Sequence, residues 1–122
     1  MGQYTIYHCH SNRSLLDSCT DYKEYADRVA ELGYKALALT EHGNAYNWVE
    51  KKMYINSKGL KYIHGVECYL TASLEEKVRD NYHTILLAKN YEGVKEINLL
   101  IDKSTQPDHR YYKPRITFEY FR

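Results

Sequence analysis

Ala36-Leu37-Ala38-Leu39-Thr40-Glu41-His42-Gly43-Asn44 passes abruptly from an unbroken apolar run to a polar, histidine-bearing turn. Apolar residues in succession, without polar alternation, suit a short strand covered on both faces. Upstream, Thr20-Asp21 can cap a helix whose Tyr22, Tyr25, Val29 and Leu32 recur at helical spacing, with Gly33 placed to end it. Downstream, a second helix is expected from about Ala45 to Ser57, stopping near Gly59. A buried strand between two helices is the unit from which α/β folds are built.

The rest of the chain continues the alternation. Gln3 to Cys9, rich in Tyr, Thr and Ile, reads as a strand, as do Lys61 to Leu70 and Tyr82 to Ala88. A third helix from Tyr91 to about Lys103 would bury Val94, Ile97 and Leu100 or Ile101. The order is β-α-β-α-β, a loop, then β-α, which predicts an α/β fold with parallel strands. In such folds ligands gather at the carboxyl ends of the strands. There is no internal repeat and no linker-like segment; Pro107 and Pro114 are the only prolines.

Composition narrows the function classes. At 122 residues the chain is one domain or a piece of one. Its 43% hydrophobic content leans on 14 tyrosines, whose hydroxyls need partners or a route to water. With 17 basic and 16 acidic residues the net charge is +1, too small to draw nucleic acid or a membrane surface by a global field. No apolar run approaches the ~20 residues of a membrane span, and no signal-peptide core is present. Cys9, Cys19 and Cys68 form no C-x-x-C and are odd in number, against both a disulfide framework and a cysteine-based zinc knuckle. A soluble, cytoplasmic setting without membrane partners is expected.

The strand ends carry the chemistry. His8-Cys9-His10 ends the first strand, and residues two apart share a face, so both imidazoles can reach one place while Cys9 points away. With 6 histidines, H-x-H arises by chance roughly 0.3 times in such a chain, so the pair alone decides little. But His42 lies just beyond the second strand, Glu67 inside the third and His83 in the fourth. Glu67 is the sharpest of these, because a carboxylate in an apolar strand costs several kcal/mol unless paired or ligated. Imidazole and carboxylate donors suit Zn, Mn or Fe, and close divalent ions can hold and activate a phosphoester. His64, three residues before Glu67, should point to the opposite face. Lys51, Lys52, Lys58 and Lys61 read as a solvated helix face.

The segments HCHSNRSLLDS, LALTEHGN, GVECYL, YHTILLAKNYEGVKEI and YYKPRI resemble the PHP (polymerase and histidinol phosphatase) domain in its bacterial DNA polymerase III alpha-subunit form. The resemblance runs from about Tyr4 to Ile116. It implies metal ligands at His8, His10, His42, Glu67 and His83, with Asp17 as a further ligand closing the first motif. Glu41 stands where the family usually has Asp, and its extra methylene shifts any bond by which it would steady a ligand histidine. The family fold is a distorted barrel of about seven β/α units. The chain is then expected to be a partial (β/α) barrel, a single truncated PHP domain over residues 1–122 comprising the first four or so units.

The Ser-Gly-Cys turn and Asp-x-His motif that supply the family's later ligands do not occur in this sequence. A half-barrel exposes strand edges and apolar helix faces, so either the remainder of the domain or polymerase chain, or self-association, is expected to cover them. The resemblance implies divalent ions, more than one in the complete domain. It also implies DNA as a partner through the parent polymerase, and a proofreading exonuclease beside it. The function expected is metal-dependent phosphoester hydrolysis of the 3′–5′ exonuclease type, or a structural role in replication. A free-standing phosphatase of the histidinol-phosphatase kind and a catalytically silent interaction module are the alternatives. The segment Asp108 to Arg115 interleaves cations with aromatics, a pattern of single-strand binding grooves in which Arg110, Lys113 and Arg115 would contact nucleic acid; a basic surface loop is the other reading.

Overall fold

The computed structural model describes residues 4–121, so Gln3, at the start of the first expected strand, lies outside the described residues. The elements follow as α1 (Tyr22–Glu31), β1 (Ala36–Leu39), α2 (Trp48–Ser57), β2 (Lys61–Thr71), β3 (Tyr82–Leu87), α3 (Tyr91–Ser104) and β4 (Arg115–Thr117), with a 3-10 turn at Phe118–Phe121. The fold is mixed α/β.

Helix α1 begins where the capping signal placed it: the Asp21 carboxylate accepts from the Lys23 N–H at 2.9 Å. Helix α2 starts at Trp48 rather than Ala45 because Asn47 adopts φ 63°, which no helical residue can hold. Little of the first expected strand forms a regular ladder. Ile6 bridges Leu37 in parallel, and the chain bends at His8. The segment nevertheless stays beside β1, since Ala38 N–H donates to Ile6 O and Thr40 N–H to Cys9 O.

The expectation of all-parallel strands is corrected. β1 and β2 are parallel, but β2 and β3 pair antiparallel, with Tyr69 opposite His83. The intervening residues 72–81 form no helix, and a parallel return needs a crossover of a dozen or more residues. The basic segment near the C-terminal end is also more ordered than a surface loop. Arg115–Thr117 forms β4 and pairs in parallel with the end of β2.

Helices α1, α2 and α3 cover one sheet face. Leu37 and Leu39 of β1 pack with Tyr22, Ala26 and Val29 of α1 and Ile55 of α2. Val66, Cys68 and Leu70 of β2 pack with Ile97 of α3 and Ile116 of β4. The register Leu39↔His64 puts these residues on the same side, because side chains alternate along each strand. Full burial of Leu37 or Ile55 contributes about 1.5–3 kcal/mol each. Glu67 and Tyr69 therefore point to the other face, away from the helices.

Candidate metal centre

Glu67 is the hub. Its side chain is 2% exposed, and both carboxylate oxygens face imidazole nitrogens. Oε2 lies 2.7 Å from His8 Nε2 and 3.2 Å from His10 Nε2, while Oε1 lies 2.9 Å from His42 Nδ1 and 3.4 Å from His83 Nδ1. His42 Nε2 in turn lies 2.9 Å from Asp17 Oδ2. All six residues read from the sequence as ligands thus meet on one patch of the helix-free face.

Local backbone explains how each side chain arrives. The bend at His8 leaves His8 and His10 on the open side, their Nε2 atoms 2.9 Å apart, while Cys9 packs towards the core. His42 and Glu67 are locked together by main chain, as Gly43 N–H donates to Glu67 O and Glu67 N–H to Glu41 O. Gly43 itself has φ +61° and sits against Pro114, so only glycine fits this turn without strain. Leu16 adopts φ 68°, a costly conformation for a leucine, and the turn it makes delivers Asp17 to His42. His83 arrives on the antiparallel strand, at the start of β3 rather than at a carboxyl end, in register with Tyr69.

Electrostatics follow from the crowding. Burial pushes the Glu67 carboxyl up, but its bond to His8 and the charge and bond of His42 outweigh this and hold it below the usual range. The bond from His42 holds Asp17 low. Burial and the neighbouring His42 ring, stacked on it at 4.1 Å between centroids, lower His10. Burial raises Cys9 to about 11 and Cys68 to about 12, which leaves both thiols unsuited to act as nucleophiles.

Among the described residues two groups have donor atoms close enough to share an ion: His8 with His10 and Glu67, and His10 with Asp17 and His42. Nitrogen and oxygen ligands about 2.0–2.1 Å from a common tetrahedral ion lie roughly 3.4 Å apart. The distances of 2.7–3.2 Å among His8, His10 and Glu67 need only a small outward relaxation to reach that. The donor set fits one or more divalent ions.

The Glu41 side chain reaches the histidines only through Ser14. It touches no histidine; it is buried behind the centre, where it accepts from Ser11, Ser14 and Lys51. Lys51 corrects the reading of a solvated lysine face, since its side chain is 3% exposed. The signal was present: Lys51 stands four residues before the buried Ile55 and so shares its helix face. Ser11 and Ser14, both buried, were missed because serine carries no periodic signature.

His64 is outside the centre, its ring held between the Tyr62 hydroxyl at 2.9 Å and Asn98 Oδ1 at 3.0 Å. The nucleic-acid reading of Arg115 is corrected. Its buried guanidinium donates to the carbonyls of His109, Glu76 and Leu74, tying residues 72–81 to β4. Arg110 is exposed, and Lys113 sits at the rim, its ammonium 3.3 Å from His83 Nε2 and 4.3 Å above the Tyr69 ring.

Residues 7–122 match the PHP domain family. The chain belongs to that family. Its PHP sequence is 36% identical over 115 residues to DNA polymerase III subunit alpha of Chlamydia pneumoniae, covering 89% of this chain and 9% of that protein. The same subunit of Aquifex aeolicus is 32% identical over 123 residues, covering 92% and 10%, and that of Campylobacter jejuni 36% over 119 residues, covering 95% and 10%. The chain therefore spans about a tenth of the length of these curated relatives. Among solved structures, an amidohydrolase from Chromobacterium violaceum, with bound sulfate and no metal, superposes with a TM-score of 0.57. It is 22% identical, and the match covers 81% of this chain and 34% of that one, a likeness of fold alone. Among the described residues no helix is long and apolar enough to cross a membrane.

Proposed function

We propose that this PHP domain binds divalent metal through His8, His10, Asp17, His42, Glu67 and His83 and hydrolyses phosphoesters as part of a DNA polymerase III alpha subunit. The observation that carries the reading is the buried Glu67 carboxylate with imidazole nitrogens against both oxygens. Four histidines and one carboxylate gather nitrogen and oxygen donors at one place. They suit Zn, Mn or Fe. Such an ion, when bound, supplies a Lewis acid for the phosphoryl oxygen and lowers the pKa of water.

The chain's own residues account for the rest. Glu67 balances cationic charge inside the sheet, and Asp17 at the rim orients His42. Tyr69 OH, 2.7 Å from His42 Nδ1, fixes that ring from the other side. The Lys113 ammonium at the rim, 3.3 Å from His83 Nε2, would favour an anionic substrate, with DNA reached through the polymerase chain. In this reading residues 1–122 contribute the first units of a barrel, and the remaining strands and ligands come from further polypeptide or from a second copy. A bacterial polymerase subunit implies a cytoplasmic setting and a proofreading exonuclease as neighbour.

The test is metal content per chain by plasma mass spectrometry after purification without added metal or chelator, followed by hydrolysis assays on 3′-labelled single-stranded DNA and on p-nitrophenyl phosphate. Stoichiometric Zn, Mn or Fe that disappears in His8→Ala/His10→Ala, with mononucleotide release from DNA, is expected. Metal with activity on the small monoester alone would move the reading to a phosphatase of the histidinol-phosphatase kind. A chain that takes up none of these metals overturns it.

A further inference from the structure

Behind the metal centre, under α2, lies a second polar cluster closed to water. Glu41, Lys51, Ser11 and Ser14 are each no more than 2% exposed. The Lys51 ammonium donates to Glu41 Oε1 at 2.7 Å, the Ser11 N–H donates to Oε2 at 3.1 Å, and both serine hydroxyls donate to the same carboxylate. An ion pair this deeply buried is weak evidence for stability, because well-packed apolar residues often replace such pairs at no loss.

Donor counting shows what the cluster dictates. A carboxylate can only accept, so the single hydroxyl hydrogen of Ser14 is committed to Glu41 Oε2. Ser14 Oγ is left as an acceptor; it takes the His42 N–H at 3.1 Å, and its other neighbour is His10 Nδ1 at 3.2 Å. His10 must then carry its proton on Nδ1, which leaves the Nε2 lone pair free. Nε2 is the atom that faces His8 Nε2 at 2.9 Å and Glu67 Oε2 at 3.2 Å. The far side agrees, since the His8 Nε2–H can donate to both Glu67 Oε2 and an unprotonated His10 Nε2.

We propose that Lys51 is a positioning residue: through Glu41 and Ser14 it holds His10 in the Nδ1–H tautomer, so that Nε2 is presented to a divalent cation. The countercharge of Lys51 keeps Glu41 a pure acceptor in a site without water, and Glu41 sets the direction of the Ser14 hydroxyl. Reversing any link moves the proton to Nε2, the position a metal must occupy. The inference rests on the metal-binding reading of the site, but the tautomer can be read without metal.

The experiment is nitrogen-15 NMR of the imidazoles in the metal-free chain at about pH 8, where an ordinary histidine is neutral. Wild-type His10 is expected as Nδ1–H. Ser14→Ala, which removes the acceptor, should give a mixture. In Glu41→Gln/Lys51→Met the amide can donate to Ser14, which turns the relay round and yields Nε2–H. Lys51→Arg should keep the wild-type pattern. Mn2+ affinity, by titration of the metal alone, should fall about 10- to 100-fold in the first two variants and stay within about threefold in the third. A wild-type His10 found as Nε2–H overturns the proposal however the variants fold. So does a folded Ser14→Ala chain whose tautomer and affinity do not move. Tautomer shifts as expected in a chain that never binds Mn2+ would uphold the relay and sink the metal reading; Mn2+ binding with the tautomers unmoved would do the reverse.

Discussion

Glu67 Oε2 meets His8 Nε2 at 2.7 Å across 59 residues of sequence, joining the interior of β2 to the bent segment beside β1. The same carboxylate reaches His42 and His83 through its other oxygen. One side chain therefore holds four chain segments together and supplies the negative charge at their meeting point. Glu67→Gln keeps the shape and removes the charge. It should abolish retention of metal, measured by plasma mass spectrometry on purified protein, while far-ultraviolet circular dichroism stays unchanged. Full metal occupancy in that variant would take Glu67 out of the centre.

Acid should destabilise the metal-free chain in two stages. His10 sits below its ordinary value of 6.5, chiefly through burial and then His42, so the unfolded state binds more protons in that window. Stability is then lost as pH falls below 6.5. Glu67 and Glu41 both lie below their ordinary 4.5: burial opposes this, but His8 and His42 around the one, and Lys51, Ser11 and Ser14 around the other, prevail. Their contribution is present above 4.5 and disappears as pH drops towards their folded values. Urea denaturation in chelator, from about pH 8 to about pH 4, should show this fall. A midpoint that holds steady or rises on acidification through the histidine range would contradict it.

Gly43→Ala should loosen the turn that carries His42. Its φ of +61° is one that alanine adopts only at a cost, and an added Cβ would sit 2.5 Å from Pro114 Cγ. The expected loss is about 1–3 kcal/mol, seen as a lower thermal midpoint together with weaker metal binding. Gly33→Ala makes a useful control, because it shares the positive φ but has nothing within 4 Å of the added carbon. The smaller loss should belong to Gly33.

Arg115→Met and Arg110→Ala separate a buried clamp from a surface charge. Arg115 holds three backbone carbonyls, of which that of the buried His109, left without a partner, costs about 1–3 kcal/mol. A clear fall in thermal midpoint is expected. The exposed Arg110 should change stability by no more than about 0.5 kcal/mol. Equal and small effects from the two would mean that the Arg115 bonds are not made in solution.

Much of the fold was legible because its signals are local. The cap at Asp21, the unbroken apolar strand at Ala36–Leu39 and the apolar spacing of α3 each depend on residues close in sequence. The direction of β3 was not legible. Tyr82–Leu87 has the same composition whether it runs with or against β2, and only the absence of a crossover helix decides. Arg115 and Lys51 were misread for a related reason: a cation gives no sign in sequence of whether carbonyls or a carboxylate wait for it inside.

The sequence by itself determined which side chains could bind metal: two histidines at strand spacing, a histidine after a buried strand, and a carboxylate inside an apolar one. Their chemistry is carried by residue type and short spacing, and both are written in the chain. Only the tertiary structure decided that the four segments meet on the helix-free face, that His83 comes from an antiparallel strand, and that Lys51, Glu41 and Ser14 stand behind His10. Those facts depend on sheet register and on which face the helices bury. Both are settled by packing across tens of residues, where no local spacing reports.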